Sequence, residues 1–392
     1  TAYFAAKSRN IHRIICGEYT IYIYLLKKQI MKYIWENSNW PDFHWDEELI
    51  NTELQNVRFV QGQLLGIAST FGFDVKNVIE ADSITDSVIH SSEIEGISLN
   101  FTDVRSSVVW QLGIEPENQM QNNRYIDGFV EAMFDALHNF KQPLTAERLF
   151  AWHGLLFPNV GRHSNLTVAD WRKGEMQVVS GRYGAETVHY EAPPASDVPN
   201  QMTEFLDWFN QTGNCNPLLK SAIAHLWFVT IHPFGDGNGR IGRIIMDMQL
   251  AKTEDISQRF YSMSAQMSQQ KKSYYEILEI TQKGNLDITE YLLWYMHCLT
   301  DALHVSIQTF SKTIEKAHFW DRHHSKSLNP RQIEMINRLW DGFQGKLTTV
   351  KWAKIMKCSS DTALRDINDL IQKGILKKDD GKSRNVGYDL II

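Results

Sequence analysis

The stretch Ser221 to Lys252, SAIAHLWFVTIHPFGDGNGRIGRIIMDMQLAK, constrains this chain more than any other. Two apolar runs of helical character flank a loop that carries Gly235, Gly237 and Gly239. Glycine permits backbone conformations in which successive N–H groups point at one spot, and the start of the following helix adds its partial positive charge. The loop therefore reads as an anion cradle. Arg240 and Arg243, three apart on the first turn of the second helix, can clamp phosphate oxygens with charge-assisted hydrogen bonds. Asp236 offers a carboxylate to a Mg²⁺ or Mn²⁺ ion bridging those phosphates. His232, just before the loop, is the group here able to take a proton near neutral pH. A lone histidine or a lone glycine-rich turn is more often structural. No packing requirement, however, explains why His, Asp, Asn and two Arg crowd around three glycines, and together they are the parts of phosphoryl-type transfer.

Apolar residues recur at helical spacing between Asp46 and Leu112, through Leu49, Leu54, Val57, Val60, Leu64, Leu65 and Ile67, which predicts a helical N-terminal domain over 31–118. A mainly helical core is expected over 119–315. Its exception is Met176 to Tyr190, where a glycine-containing turn separates two β-prone runs and predicts a hairpin. Pro193 and Pro194 end it, and Asp197 starts a further amphipathic helix. Polar sequence predicts a linker over 316–329. Beyond it, helices over Arg331 to Phe343, Thr349 to Met356 and Ser360 to Lys373, followed by a hairpin, resemble a winged helix-turn-helix over 330–392. The fold class expected is thus mainly α.

The net charge of -6 gives no global attraction to nucleic acid or to anionic membranes. Cys16, Cys215, Cys298 and Cys358 are scattered without CxxC spacing, which argues against a zinc site or a disulfide framework and fits a reducing cytoplasm. The apolar run Ile21 to Leu26 is too short to span a bilayer. Residues 1–30 are expected to be upstream translation or a loosely held extension, with a natural start at Met31.

The segment HPFGDGNGRIGR matches the Fic family signature HxFx(D/E)GNGRxxR at every fixed position, and the chain resembles that family from about Met31 to Leu303. The resemblance implies a protein adenylyltransferase that moves AMP from ATP to a Ser, Thr or Tyr hydroxyl of a target protein. His232 would be the base, Asp236 the metal ligand and Phe234 a core anchor for the loop. Gly235, Gly237, Asn238 and Gly239 would line the phosphate site, with Arg240 and Arg243 on the phosphate chain. The 176–190 hairpin sits where the family holds a target segment by strand addition. Tyr274 and Tyr275 resemble its adenine and ribose pair, although aromatics at helical spacing are more often core. Ser91, Glu95 and Gly96 also describe an ordinary helix end, yet resemble the family's inhibitory motif (S/T)xxxE(G/N), in which Glu95 would withhold Arg243 from the γ-phosphate.

Alternatives stay open at this level. One is removal of AMP, or a bifunctional enzyme, and another is a nucleotide-sensing regulator that binds DNA; donors other than ATP also fit a loop that reads phosphates. For residues 330–392, Arg365, Lys373, Lys377, Lys378, Lys382 and Arg384 suggest DNA binding. Asp361, Asp366, Asp369, Asp379 and Asp380 on the same surfaces would repel phosphates, so protein interaction, including a homodimer, and plain packing compete with it.

Overall fold

Asp46 caps the first long helix by accepting the N–H groups of Glu48 and Leu49 at 3.0 and 3.1 Å, and from there the computed structural model is a mainly α protein. It describes residues 33–114, 123–160, 166–182, 185–213, 215–379 and 386–391; the expected extension 1–30, with Cys16, lies outside them. Two compact units divide between Ser306 and Ile307. Among the described residues no helix is long and apolar enough to cross a membrane.

The first unit begins with α1 (Glu47–Ser69), α2 (Phe73–Ile94) and α3 (Phe101–Gln111), followed by α4 (Arg124–His138) and α5 (Ala146–Leu156). A hairpin of β1 (Gln177–Arg182) and β2 (Ala185–Glu191) leads to α6 (Val198–Asn210), α7 (Pro217–Ile231) and α8 (Asn238–Glu254). Then come α9 (Met263–Gln269), α10 (Lys271–Gln282) and the beginning of α11 (Thr289–His323). At the centre stands α7, buried at every position from Leu218 to Ile231, as a helix apolar all round must be. It packs on α8 at Gly242, where an added Cβ would stand 2.9 Å from Val229 Cγ1. Burying a side chain such as Phe228 or Phe234 here contributes about 2 kcal/mol each.

Two terminations set up the site. α2 stops at Glu95 because Gly96 takes a left-handed φ of +80°. The Gly96 and Ile97 N–H groups then donate back to the Glu93 and Ser92 carbonyls at 3.0 and 2.9 Å, which is the glycine-ended helix stop. The hairpin pairs antiparallel with a register shift between Val178 and Val179. It is pinned where the Tyr190 hydroxyl donates to the Thr230 carbonyl at 2.7 Å.

The second unit contains α12 (Pro330–Trp340), α13 (Thr349–Ile355), α14 (Ser360–Gln372) and the antiparallel pair β3 (Leu376–Lys378) and β4 (Tyr388–Leu390). Phe319, Trp352, Ile367 and Leu370 lie in its core. The segment 316–329, expected to be a linker, is helical as far as His323, because Phe319 is buried in that core and continues the apolar pattern of α11. Three of the five aspartates expected here are paired, while Asp380, Lys382 and Arg384 lie outside the described residues. Asp366 is buried and pairs with Arg331 at 2.8 Å, Asp369 pairs with Lys373 at 2.5 Å, and Asp379 pairs with Lys346.

Candidate active site

His232 ends α7 in the left-handed conformation, φ 53° and ψ 57°, which turns the chain sharply into the loop. Its Nδ1 lies 3.0 Å from the Val229 carbonyl. A carbonyl only accepts, so Nδ1 carries the proton and Nε2 keeps its lone pair. Burial pulls the His232 pKa below the ordinary value, with the Val229 bond opposing and Arg172 adding to the shift. The ring is thus neutral at pH 7. Arg172, itself buried, donates from Nε to the His232 carbonyl at 2.8 Å and from Nη1 to the Gly174 carbonyl at 2.9 Å. Its Nη2 reaches the Pro193 carbonyl past the end of β2. One guanidinium therefore holds the base-bearing turn and the root of the hairpin together.

The loop closes on itself. Asn238 Oδ1 accepts the Phe234 N–H at 2.9 Å and its Nδ2 donates to the Phe234 carbonyl at 2.8 Å. Asn238 lines the cavity, with its side chain spent on loop geometry and its backbone N–H at the start of α8. Phe234 is fully buried and stacks on His153 with centroids 4.2 Å apart. His153 accepts the Ala169 N–H at 3.0 Å and donates to the Asp236 carbonyl at 3.2 Å. Burial takes its pKa down to about 4, so it acts as a neutral strut. Gly237, with φ +82°, turns the chain into α8, where a Cβ would stand 2.9 Å from Phe157.

The two arginines are held by different partners. Arg240 Nη1 donates to the Tyr125 hydroxyl at 3.0 Å and Nη2 to Asp236 at 3.2 Å, with Phe157 stacked 5.0 Å away. Arg243, fully buried, gives Nε to Ser91 Oγ at 2.8 Å, while Nη2 reaches the Ser91 carbonyl at 2.9 Å and Glu95 Oε1 at 2.7 Å. Nη1 has no hydrogen-bond partner among the described residues. Burial works to raise the Glu95 pKa, but Arg243, helped by Arg240, holds it below the usual carboxylate range. The Glu95 carboxylate rests on the first turn of α8, so close that a Cβ on Gly239 would lie 2.1 Å from Oε1. Glu95 therefore occupies the helix start as well as the arginine.

Glu95, His232 and the loop from Gly235 to Gly239 border one cavity of about 620 Å³, walled by the hairpin on one side and α10 on the other. Tyr274 and Tyr275 both reach it, but they differ. Tyr274 is buried, with its hydroxyl 3.1 Å from His225 Nε2 and its ring stacked on Trp294. Tyr275 is 41% exposed and donates to the Ile94 carbonyl at 2.9 Å, on the last turn of α2. Sequence reading missed Arg172, His153 and Tyr125, each an isolated residue with no spacing signal.

Residues 143–250 match the Fic/DOC family, and residues 33–114 match a domain of unknown function, DUF4172. A probable protein adenylyltransferase of Aquifex aeolicus is 27% identical over 152 residues, 39% of this chain and 42% of that protein. Protein adenylyltransferase Fic of Aedes aegypti is 22% identical over 211 residues, 53% of this chain and 39% of that protein. The chain thus spans less than half the length of these curated relatives. A Fic family protein from Desulfovibrio desulfuricans G20 shares the fold with a TM-score of 0.55 at 20% identity, covering 89% of this chain and 97% of its own. A Fic domain containing signaling protein from Bacteroides thetaiotaomicron does so at 0.51 and 18% identity, covering 65% and 98%. With His232, the glycine loop and Arg243 all inside the matched segment, this chain carries a Fic/DOC family domain.

Proposed function

We propose that this protein is an adenylyltransferase that transfers the AMP of ATP to a hydroxyl of a target protein and is restrained by Glu95. One observation carries the reading: an imidazole with Nδ1 fixed on Val229 borders the same cavity as the glycine-rich start of a helix that carries two buried arginines. His232 Nε2 takes the proton of the target hydroxyl, whose oxygen attacks the α-phosphorus. The bond from that phosphorus to the bridging oxygen breaks, and pyrophosphate leaves. The Gly237 to Gly239 amides and Arg240 neutralise charge on the phosphates, and Arg243 completes the grip once Glu95 withdraws. The exposed outer edge of the hairpin supplies a strand to which a target segment could add.

The residues fit a divalent cation of the Mg²⁺ type. Asp236 is 61% exposed and only its Oδ1 takes hydrogen bonds, from the Gly237 N–H and Arg240. Among the described residues no cluster of three or more acidic, histidine or cysteine groups could cage a metal, which suits an ion that takes most of its ligands from phosphates and water. When bound, such an ion would neutralise phosphate charge and orient the leaving group.

The brake works by geometry. Transfer needs near-attack alignment, so phosphates displaced by a carboxylate on Arg243 and on the α8 start cost orders of magnitude in rate. Incubation with labelled ATP and a proteome tests both parts. Glu95→Gly should raise transfer to other proteins about 10- to 100-fold, and adding His232→Ala should remove it by about 10² or more. An inactive Glu95→Gly protein that still binds ATP would sink the proposal.

A further inference from the structure

The hairpin carries a hydroxyl–imidazole–carboxylate arrangement of its own on the wall of the same cavity. Ser180 Oγ on β1 lies 2.5 Å from His189 Nε2 on β2, and His189 Nδ1 lies 2.7 Å from Glu279 Oε2 on α10. Glu279 is held in turn by Lys283, 2.6 Å from Oε1. Burial acts to raise the Glu279 pKa, but its bonds from Lys283 and His189 keep it below the usual range, so it accepts the Nδ1 proton. That leaves Nε2 as the acceptor for the Ser180 hydroxyl. A hydroxyl on a base that is itself oriented by a third group is the arrangement of an activated nucleophile.

The strand irregularity produces it. Val178 pairs with Tyr190 and Val179 with Val188, so His189 is the extra, unpaired residue. Bulges re-aim side chains, and this one brings the imidazole diagonally across to Ser180, whose own partner is Thr187. A simple latch between hairpin and α10 would need only one hydrogen bond to Glu279, not a serine on the far nitrogen facing the nucleotide cavity.

We propose that Ser180 is a self-acceptor of AMP, with His189 as its own base; this rests on the adenylyl-transfer reading above. His189 Nε2 takes the Ser180 proton as Oγ bonds to the α-phosphorus of ATP. The bond from that phosphorus to the bridging oxygen breaks, pyrophosphate leaves with its electron pair, and a phosphodiester to AMP remains on Ser180.

The test is peptide mapping by mass spectrometry of the full chain bearing Glu95→Gly, incubated with ATP and Mg²⁺ beside a mixture of other proteins. Ser180 should carry AMP. His189→Gln should lower Ser180 labelling by about 10² relative to the labelling of other proteins in the same sample, and Ser180→Thr should keep the label. Labelled proteins alongside a bare Ser180, or equal Ser180 labelling with His189→Gln, would overturn this proposal alone. No AMP on any protein, Ser180 included, would overturn it together with the reading on which it rests.

Discussion

The glycine loop and the end of α2 meet on Arg243 but are built in opposite ways. The loop is closed by its neighbours: Asn238 bonds to the backbone of Phe234 four residues away, and Asp236 to Gly237 and Arg240. The brake reaches across 148 residues of chain to place Glu95 on Arg243, and Tyr275 holds its last turn from 181 residues away. Local closure makes the loop a fixed feature of the fold. Long-range closure makes the brake depend on how α2 docks, so the two should come apart under mutation.

Asn238→Ala attacks the local side and should have the largest effect. It strands the buried Phe234 N–H and carbonyl, at a cost of roughly 2–6 kcal/mol, read as a lower urea midpoint together with lost nucleotide binding. If stability is kept, the loop is not self-closed as argued. Ser91→Ala attacks the distant side more gently. It removes the acceptor for Arg243 Nε while the Ser91 carbonyl and Glu95 remain. A hydrogen bond to a charged group contributes about 1.5–3 kcal/mol, so basal transfer should rise about 10-fold or somewhat more, with ATP affinity changed little; a fall in transfer would show Ser91 to serve catalysis instead.

Arg172 sharpens the comparison because it ties the base to the hairpin, and its effect should be the smallest. The His232 pKa is lowered first by burial and further by the Arg172 charge, and the neutral ring is the active form. Transfer should therefore fall as pH drops through that lowered pKa and stay level above it. Arg172→Gln removes the charge, so the acid limb of the rate–pH profile should move upward and the rate at mildly acid pH should drop a few-fold. Arg172→Lys should restore the limb. A change in the plateau alone, with the limb unmoved in both variants, would show a purely structural role.

Much of the site was legible before any coordinates. His232, Phe234, Asp236 and the arginines lie in one uninterrupted segment, and the expected helices around them appear within a few residues of their predicted ends, as with Asp197 before α6. The limits of that reading are equally specific. Asn238 lines the cavity, yet its side chain bonds to the Phe234 backbone, which the motif alone does not reveal. Tyr274 and Tyr275, adjacent and alike, both reach the cavity, but the first is buried against His225 and Trp294 while the second is exposed and secures α2. The linker over 316–329 looked polar, yet its first half is helix because Phe319 packs inward.

The loop, the helices that flank it and the chemical kit they present follow from local sequence, because helix periodicity, glycine freedom and the Asn238 clasp all operate over a few residues. Which groups are available follows from packing across the fold: Glu95 sits on the start of α8, Arg172 holds the base, and a bulge turns His189 toward Ser180. Those outcomes depend on side chains brought together from distant parts of the chain, and burial there sets both their partners and their protons.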